Sequence, residues 1–314
     1  MTVTHVYAIA LRAPFRGLSV REGVLIRGDA GWGEFSPFRE YDDDESAGWW
    51  RAAAEAADGG WPKPVRSTVP VNATIPAVPA TDVSAVLSRF PGCTTAKVKV
   101  AAPGQSAVDD EERLRAVRDA LGSAGHLRID VNGAWDVDTA ERLLPRYDAA
   151  AGGMQYVEQP CPTVEDLAAL RRRVDVPIAA DESIRRAHDP LLVARMEAAD
   201  IAVLKVQPLG GVRACLEIAE QIAMPVVVSS ALETSVGIAA GVALAAALPE
   251  LPYACGLATV GLLELDVVDD PLVAVDGALP VRRPVPTNAL LDAARADDPT
   301  TRWWNDRVTR VMAQ

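Results

Sequence analysis

Three acidic residues stand at corresponding positions of successive units in the sequence. Asp130, Glu158 and Asp181 each end a short strand-like run, and each is about one strand and one helix from the next. If these runs are parallel strands of one sheet, their carboxyl ends share an edge and the three carboxylates can converge. Oxygen ligands without His or Cys favour Mg²⁺ over Zn²⁺, and Mg²⁺ leaves octahedral positions for water or a substrate carboxylate. The spacing therefore predicts a Mg²⁺ site.

Two lysines are predicted to share the interior with these carboxylates. In the segment AKVKV at 96–100, strand alternation puts Lys97 and Lys99 on one face and the valines on the other. The outer face of a barrel strand must be apolar because helices cover it, so both lysines point inward. The same argument turns further polar residues inward on the later strands: Arg128, Asp130, Asn132, Tyr156, Glu158, Asp181, Lys205 and Gln207.

A solvated strand end is the ordinary interpretation of one such charge. Five consecutive strands with inward charges are harder to explain in that way, because burial of an isolated ion costs several kcal/mol. A metal ion and a charged substrate would compensate them.

The general base is predicted to be a lysine. The chain has three histidines, His5, His126 and His188, and none falls at a predicted carboxyl end of a strand. A histidine base, a His-rich metal site and a Ser-His-Asp triad are therefore not expected, and no GxSxG elbow is present. An ammonium group has an ordinary pKa of about 10.4, but a neighbouring cation and a metal both favour its neutral form. Lys97 supplies such a cation beside Lys99.

The elements that must position these residues alternate from about residue 69 onward. Strand candidates lie at 69–75, 94–100, 127–131, 154–158, 177–181, 201–206, 225–229 and 253–257. Amphipathic stretches separate them, which favours a parallel sheet with right-handed crossovers. Eight units in about 200 residues are typical of a (β/α)₈-type, modified TIM barrel. An open doubly wound sheet is the alternative, although no GxGxxG follows the first strand.

The two ends of the chain predict an α+β capping domain. Residues 4–11, 22–27 and 32–34 read as an antiparallel sheet, and residues 46–57 as a helix. Pro62 and Pro64 cannot continue that helix. The tail is rich in proline to about 286 and helical in pattern from 289 to 313, with a break at Pro299. We therefore predict domains at 1–68 (cap), 69–283 (barrel) and 284–314 (tail packed on the cap).

Composition restricts the partners and the compartment. The net charge is −12 and no basic stripe reverses it, so nucleic acid is not expected to bind. The apolar stretch 236–248 is too short to span a bilayer, and no secretory leader is evident. Cys93, Cys161, Cys215 and Cys255 have no CxxC spacing and read as reduced thiols. These features indicate a cytoplasmic protein without a membrane partner.

Five motifs occur in order: KVK (97–99), RIDVN (128–132), VEQP (157–160), ADE (180–182) and LKVQPLGG (204–211). Together they resemble the muconate-lactonizing subgroup of the enolase superfamily. GWGEFSP at 31–37 is similar to the capping-domain hairpin of that superfamily, so the resemblance covers nearly the whole chain. Within the subgroup, the compact loop at 12–20, SSALETSVG at 229–237 and CGLATVGLL at 255–263 resemble actinobacterial dehydratases of menaquinone biosynthesis.

The resemblance implies a ligand set and a cofactor. Asp130, Glu158 and Asp181 would bind Mg²⁺, for which Mn²⁺ can substitute. Asn132, Gln159 and Glu182, each adjacent to a ligand, are expected to orient the ligands by hydrogen bonds.

The resemblance also implies a role for each lysine. Lys99 would take the proton alpha to the carboxylate of a 2-hydroxycyclohexadiene carboxylate and then help hydroxide leave from the same face. Lys205, across the ring, would stabilise the enediolate by charge and cation–π contact, and Lys97 would lie near the metal-bound carboxylate.

Substrate contacts are expected from four further residues. Ser229 or Ser230 and the backbone of Gly256 match positions that hold a succinyl carboxylate in the family. Arg128 is predicted to contact the substrate as well.

Other activities remain open on the sequence alone. Lysines on both sides of the alpha carbon would also suit an N-succinylamino acid racemase or another racemase or epimerase of the superfamily. A dipeptide epimerase is disfavoured because Ala258-Thr259-Val260 replaces the Asp-x-Asp that anchors an ammonium group in those relatives. A mandelate-type racemase would need a histidine where Ser229 and Ser230 stand. A barrel that binds a partner without catalysis is the remote alternative.

Overall fold

Strands and helices alternate along most of the chain in the computed structural model, which describes residues 2–313. The strands are β1 (Thr2–Phe15), β2 (Leu18–Gly28), β3 (Gly31–Phe35), β4 (Thr68–Pro70), β5 (Ala73–Ile75), β6 (Thr95–Lys99), β7 (His126–Asp130), β8 (Tyr156–Glu158), β9 (Ile178–Ala180), β10 (Ile201–Leu204), β11 (Val226–Val228) and β12 (Ala278–Pro280). The helices are α1 (Asp43–Ala54), α2 (Val83–Leu87), α3 (Ala107–Leu121), α4 (Val137–Ala151), α5 (Val164–Arg171), α6 (Glu182–Arg185), α7 (Leu192–Arg195), α8 (Val212–Ile222), α9 (Ser235–Ala247), α10 (Asn288–Ala293) and α11 (Asp298–Met312). Met1 and Gln314, the outer ends of the first and last predicted domains, lie outside the described residues.

The predicted barrel is confirmed. Seven parallel strands are hydrogen-bonded in the order β11-β10-β9-β8-β7-β6-β5. An eighth segment closes the ring through two parallel bridges, from Cys255 to Val71 and from Gly256 to Ser229. The Gly256 amide donates to Val228 O at 2.9 Å, on the β11 side of this segment. The candidate strand at 253–257 is thus present as a closing contact shorter than a regular strand.

The first predicted barrel strand, 69–75, divides into two elements. β4 pairs antiparallel with β12, whereas β5 joins the barrel beside β6. The Val71 amide donates to Gly277 O at 2.9 Å and the Asn72 amide to Cys255 O at 3.0 Å, so successive residues bond to different neighbours. Pro70 has no amide proton to donate, which suits the short edge pairing of β4 but not a central strand.

Strand alternation sorts the barrel side chains into two environments. The outward residues of β6 and β7, such as Val98 and Ile129, are fully buried in the main core together with Leu114 of α3 and Leu143 of α4. A separate small hydrophobic cluster lies inside the barrel, below the charged strand ends: Tyr156, Ala179, Ile201, Val203 and Val227.

The cap is assembled from both ends of the chain. β1, β2 and β3 form an antiparallel sheet, as predicted. The Ala8 amide donates to Ala294 O and the Ala296 amide to Val6 O, which ties the tail to β1. Trp304 of α11 is fully buried and meets the Phe35 ring edge-on at 6.0 Å. The helical break precedes Pro299, which lies in the first turn of α11.

One local prediction in the cap was wrong. The region 12–20 was expected to be a loop, but β1 continues to Phe15 and β2 begins at Leu18. Arg16 and Gly17 form a tight turn between them with positive φ angles of 54° and 74°. A hairpin turn with this handedness matches the twist of the two strands.

The longest apolar segment forms the buried helix α9. No helix between residues 2 and 313 combines the length and the apolar character that a membrane crossing requires. All four cysteines are free thiols.

Trp304→Ala is expected to lower the free energy of unfolding by about 3–5 kcal/mol, the usual cost of truncating a buried tryptophan. Its neighbour Trp303 is half-buried, so Trp303→Ala is the matched control and should cost clearly less. Denaturant unfolding of both variants measures the difference. Equal losses would contradict the packing of α11 described here.

Candidate active site

A pocket lies at the carboxyl ends of the barrel strands. Its lining residues come from the barrel loops and from the cap: Phe15, Arg16, Phe38, Thr74, Lys97, Lys99, Asp130, Asn132, Arg185, Lys205, Ser229, Ser230, Ala231, Leu232, Gly256 and Thr259. Predicted and unpredicted residues are both among them.

The three predicted carboxylates lie on adjacent strands. Asp130 and Glu158 end β7 and β8 and are register partners, and Asp181 follows β9. None is more than 1% exposed. Glu158 and Asp181 lie below the pocket lining, where the lysines separate them from solvent.

Each carboxylate is paired with a lysine. Lys97 Nζ donates to Glu158 Oε1 at 2.6 Å and lies 3.2 Å from Asp130 Oδ2. Lys99 Nζ lies 2.5 Å from Asp130 Oδ2, and Lys205 Nζ lies 2.6 Å from Asp181 Oδ2. β6 and β10 are four positions apart in a ring of eight, so Lys99 and Lys205 enter the pocket from opposite sides.

Burial shifts the proton affinity of these groups unequally. It lowers the pKa of Lys99, and although Asp130 opposes the shift, the Lys97 ammonium adds to it. Burial also lowers the pKa of Lys97, but Glu158 and Asp130 outweigh this effect and hold it above the ordinary range. Lys99 is therefore the lysine of this pair that gives up its proton more readily.

Of the three buried carboxylates, Glu158 is the one whose negative charge is least stabilised by its surroundings. Burial, together with the Asp130 carboxylate, raises the pKa of Glu158 to about 7. Burial also raises the pKa of Asp181, but Lys205 and Arg185 outweigh it and bring it down to about 2. Glu158 Oε2 is buried and has no hydrogen-bond partner.

The donor set fits a hard divalent cation in type and in strand position. Its members are buried carboxylates on consecutive strands, and one of them has an orphaned oxygen. Across residues 2–313, no group of three or more His, Cys, Asp or Glu side chains already surrounds one point as a metal cage. Each carboxylate instead pairs with a lysine.

The residues adjacent to the carboxylates bond within the site. Gln159 Oε1 accepts from the backbone amides of Asp181 and Ser183 at 3.0 and 3.1 Å. Asn132 Oδ1 accepts from Lys99 Nζ at 2.7 Å, while its Nδ2 donates to Glu182 Oε1 at 3.2 Å.

Three of the four predicted substrate contacts lie at the pocket. Ser229, Ser230 and Gly256 line it, and Ser230 Oγ is 2.8 Å from Thr259 Oγ1. A Cβ added at Gly256 would lie 2.6 Å from Ser229 Oγ, so a side chain there would displace the serine.

Arg128 is not brought to the pocket. It points inward as alternation predicts, but it lies one layer below Asp130. There it donates to Tyr156 OH at 3.0 Å and to Ala254 O at 2.7 Å. Alternation fixes the face of a strand residue but not its depth, which depends on where the strand ends.

Sequence reasoning missed several lining residues. Arg185, on α6, donates to Asp181 Oδ1 at 3.0 Å and to Tyr41 OH of the cap at 2.7 Å. Arg185 stands four residues after Asp181 in the sequence, and on a helix this spacing would have indicated that the two side chains are neighbours. Phe15, Arg16 and Phe38 come from the cap, and no local pattern connects them to the barrel.

A buried glutamate, Glu34 of β3, anchors the cap to the segment after β11. Glu34 accepts from Tyr7 OH at 2.7 Å and from the amides of Thr234 and Gly237, both at 3.1 Å. Glu233 Oε2 accepts from the Ala231 amide at 2.7 Å. Pocket residues lie on this segment, so the hydrogen bonds of Glu34 connect the cap to the wall of the pocket.

Comparison with family models supports the architecture. The model described as "Enolase C-terminal domain-like" matches residues 83–286, and the model described as "Enolase N-terminal domain-like" matches residues 6–57.

Two similar curated relatives are both named o-succinylbenzoate synthase. The protein from Thermobifida fusca (strain YX) is 66% identical over 277 residues, which cover 88% of this chain and 86% of that protein. The protein from Mycolicibacterium smegmatis (strain ATCC 700084 / mc(2)155) is 57% identical, with 98% and 95% covered.

Solved structures at lower identity share the fold. Muconate lactonizing enzyme from Pseudomonas fluorescens, complexed with muconolactone, aligns with a TM-score of 0.76 at 21% identity, covering 96% of this chain and 97% of that chain. N-succinyl Arg/Lys racemase from Bacillus cereus ATCC 14579 aligns with a TM-score of 0.77 at 18% identity, covering 95% and 99%.

The buried Glu233 should make stability depend on pH. Burial and the nearby Glu34 raise its pKa in the fold to about 7, although Arg21 opposes the shift. A raised folded pKa contributes stability that is present below the unfolded pKa and is lost as pH rises through about 7. Glu233→Gln removes this loss. From pH 5 to pH 8, its free energy of unfolding should therefore gain about 2 kcal/mol relative to the unsubstituted protein.

Urea unfolding at the two pH values measures this effect. Glu250→Gln, at an exposed carboxylate, is the control and should leave the pH dependence unchanged. If the free energy of unfolding changes with pH equally in Glu233→Gln and in the unsubstituted protein, the raised pKa of Glu233 is contradicted.

Proposed function

Because this chain belongs to the enolase superfamily, we propose that it catalyses the o-succinylbenzoate synthase reaction, the syn-dehydration of 2-succinyl-6-hydroxy-2,4-cyclohexadiene-1-carboxylate through an enediolate. Its relatives at 55–66% identity over most of the chain carry that name, and the activity is that of a hydro-lyase. The observation that carries the proposal is the pair Lys99 and Lys205, which face one pocket from opposite sides above three buried carboxylates.

Superfamily members of this type use a divalent metal ion. We infer that the ion is Mg²⁺, with Mn²⁺ as a substitute, held by Asp130, Glu158 and Asp181. When bound, it supplies positive charge that stabilises the substrate carboxylate as it gains electron density. Gln159, Asn132 and Glu182 orient this set through the hydrogen bonds described above.

Lys99 is proposed as the general base. Its lowered pKa favours the neutral amine that must accept the proton alpha to the carboxylate. The resulting ammonium, on the same face of the ring, then donates a proton to the departing hydroxide. Phe15 lies with its ring centroid 5.2 Å from Lys99 Nζ and helps to keep water from this amine.

Lys205 and Lys97 are proposed to stabilise negative charge on the substrate. Lys205 approaches from the opposite wall and stabilises the negative charge of the enediolate. Lys97, whose pKa is raised by Glu158 and Asp130 against the effect of burial, stays protonated beside the substrate carboxylate.

The succinyl end is proposed to lie against Ser229, Ser230 and Gly256. These residues line the pocket where β11 meets the closing segment of the barrel. The Gly256 position has no room for a side chain, because a Cβ there would lie 2.6 Å from Ser229 Oγ. Direct contact by Arg128 would require it to move up by one layer from its bonds to Tyr156 and Ala254.

The remaining assignments concern the protein as a whole. We propose a cap at 1–68 and 284–314 around a barrel at 69–283, and a cytoplasmic protein of menaquinone biosynthesis. Its partner is a small carboxylate substrate. The net charge of −12 disfavours nucleic acid.

A racemase of N-succinylamino acids is the second candidate. The two opposed lysines favour it, because a base on each side of the alpha carbon can remove and return a proton on opposite faces. A barrel without catalytic activity does not account for three lysine–carboxylate pairs at one end of the strands, since buried ion pairs add little to the stability of a fold.

Lys99→Ala should lower turnover by at least about 10²-fold, since a general base contributes on that order. The fold and Mg²⁺ binding should persist, measured as the rise in unfolding temperature on adding Mg²⁺. Lys63→Ala removes an exposed lysine and should leave turnover unchanged. Turnover of Lys99→Ala within about tenfold of the unsubstituted enzyme would refute the role of Lys99.

The two candidate functions separate on one preparation of enzyme. We expect loss of the ultraviolet absorbance of the cyclohexadiene substrate, and little exchange of the alpha proton of N-succinylamino acids in D₂O. Comparable rates on both substrates would show an enzyme of broader specificity than a dedicated synthase.

A further inference from the structure

The carboxyl end of β6 is held by a buried ion pair on α3. Arg113 is fully buried, and its Nη1 lies 2.7 Å from Asp110 Oδ1, one turn earlier on the same helix. The same Nη1 donates to the backbone carbonyl of Lys99 at 2.9 Å. Asp110 Oδ2 accepts from the amide of Ala101 at 2.8 Å. The pair therefore holds the backbone by hydrogen bonds at two residues, Lys99 and Ala101.

The backbone between these two contacts is strained. Ala101 has a φ of 56°, a left-handed conformation that is unfavourable for a residue with a Cβ. Such conformations persist where surrounding contacts over-determine them. The hydrogen bond from the Ala101 amide to Asp110 is the contact that holds this one.

The ion pair is itself fixed to three other elements. Arg113 Nε donates to Val78 O, in the segment that follows β5, and Arg113 Nη2 donates to Gln105 Oε1 ahead of α3. Tyr147 of α4 donates its hydroxyl proton to Asp110 Oδ2 at 2.9 Å. Buried ion pairs seldom stabilise a fold more than apolar residues of the same volume would. A geometric role accounts for this pair better than a contribution to stability.

We propose that Asp110 and Arg113 are positioning residues for the amine of Lys99. They fix the backbone from which Lys99 extends, and so hold its Nζ at the distance from substrate that proton transfer requires. This inference rests on the proposed function of Lys99 as general base. A displacement of about 1 Å at a reacting group can cost roughly 10²-fold in rate.

The test uses two arginines of α3 that make similar bonds at opposite ends of the barrel. Arg118 donates to the backbone carbonyls of Ala151, Gly122 and Gly125, away from the pocket. Arg113→Met should lower kcat by about 10²-fold with little change in KM, because it misplaces the base without removing a binding group. Arg118→Met should lower the unfolding temperature but leave kcat within about twofold. Arg113→Lys, which keeps one donor for the Lys99 carbonyl, should recover part of kcat.

The outcomes separate this inference from the proposed function. Absence of synthase activity in the unsubstituted enzyme would refute the function. An active enzyme in which Arg113→Met and Arg118→Met have equal kcat would overturn the positioning role. If Arg113→Met does not fold, Asp110→Asn is measured by the same criteria, and a kcat equal to that of Arg118→Met would again overturn the proposal.

Discussion

Charge compensation inside a closed barrel is the constraint on which this structure depends. Three carboxylates at the strand ends are at most 1% exposed, so water cannot solvate their negative charges. At an effective dielectric constant of about 20, a unit charge pair 4 Å apart gains about 4 kcal/mol, enough to make pairing decisive. The three lysine–carboxylate pairs satisfy this requirement, and Glu158 is the member that they satisfy least.

The residues below and above the pocket limit the access of water to these charges. An apolar layer that includes Tyr156, Val203 and Val227 keeps water from entering below the charges. Phe15 and Phe38 of the cap limit its access from above. Arg185 joins the two levels, because it bonds both to Asp181 and to Tyr41 of the cap. The barrel supplies the charged groups, and the cap covers them.

Strand alternation was sufficient to predict which charged side chains face the interior of the barrel. It placed Lys97, Lys99, Asp130, Glu158 and Lys205 on one face, because a period of two residues is a local property of any strand with one apolar side. It did not give the depth of Arg128, which lies a layer below the pocket. Strand limits were also less certain: residues 69–75 divide between two sheets, and 253–257 contribute only two bridges. The cap residues at the pocket could not be found from the sequence because their contacts join distant parts of the chain.

The construction of the cap from both ends of the chain has a consequence for biosynthesis. The β3 residue Phe35 is covered by Trp304, which is synthesised after the whole barrel. While the ribosome makes the barrel, the cap sheet must therefore keep an apolar face without its final cover. Nascent chains expose such faces to chaperones and to one another, since domains generally fold in order of synthesis. Emergence of α11 from the ribosome is thus the step at which the cap sheet acquires this cover.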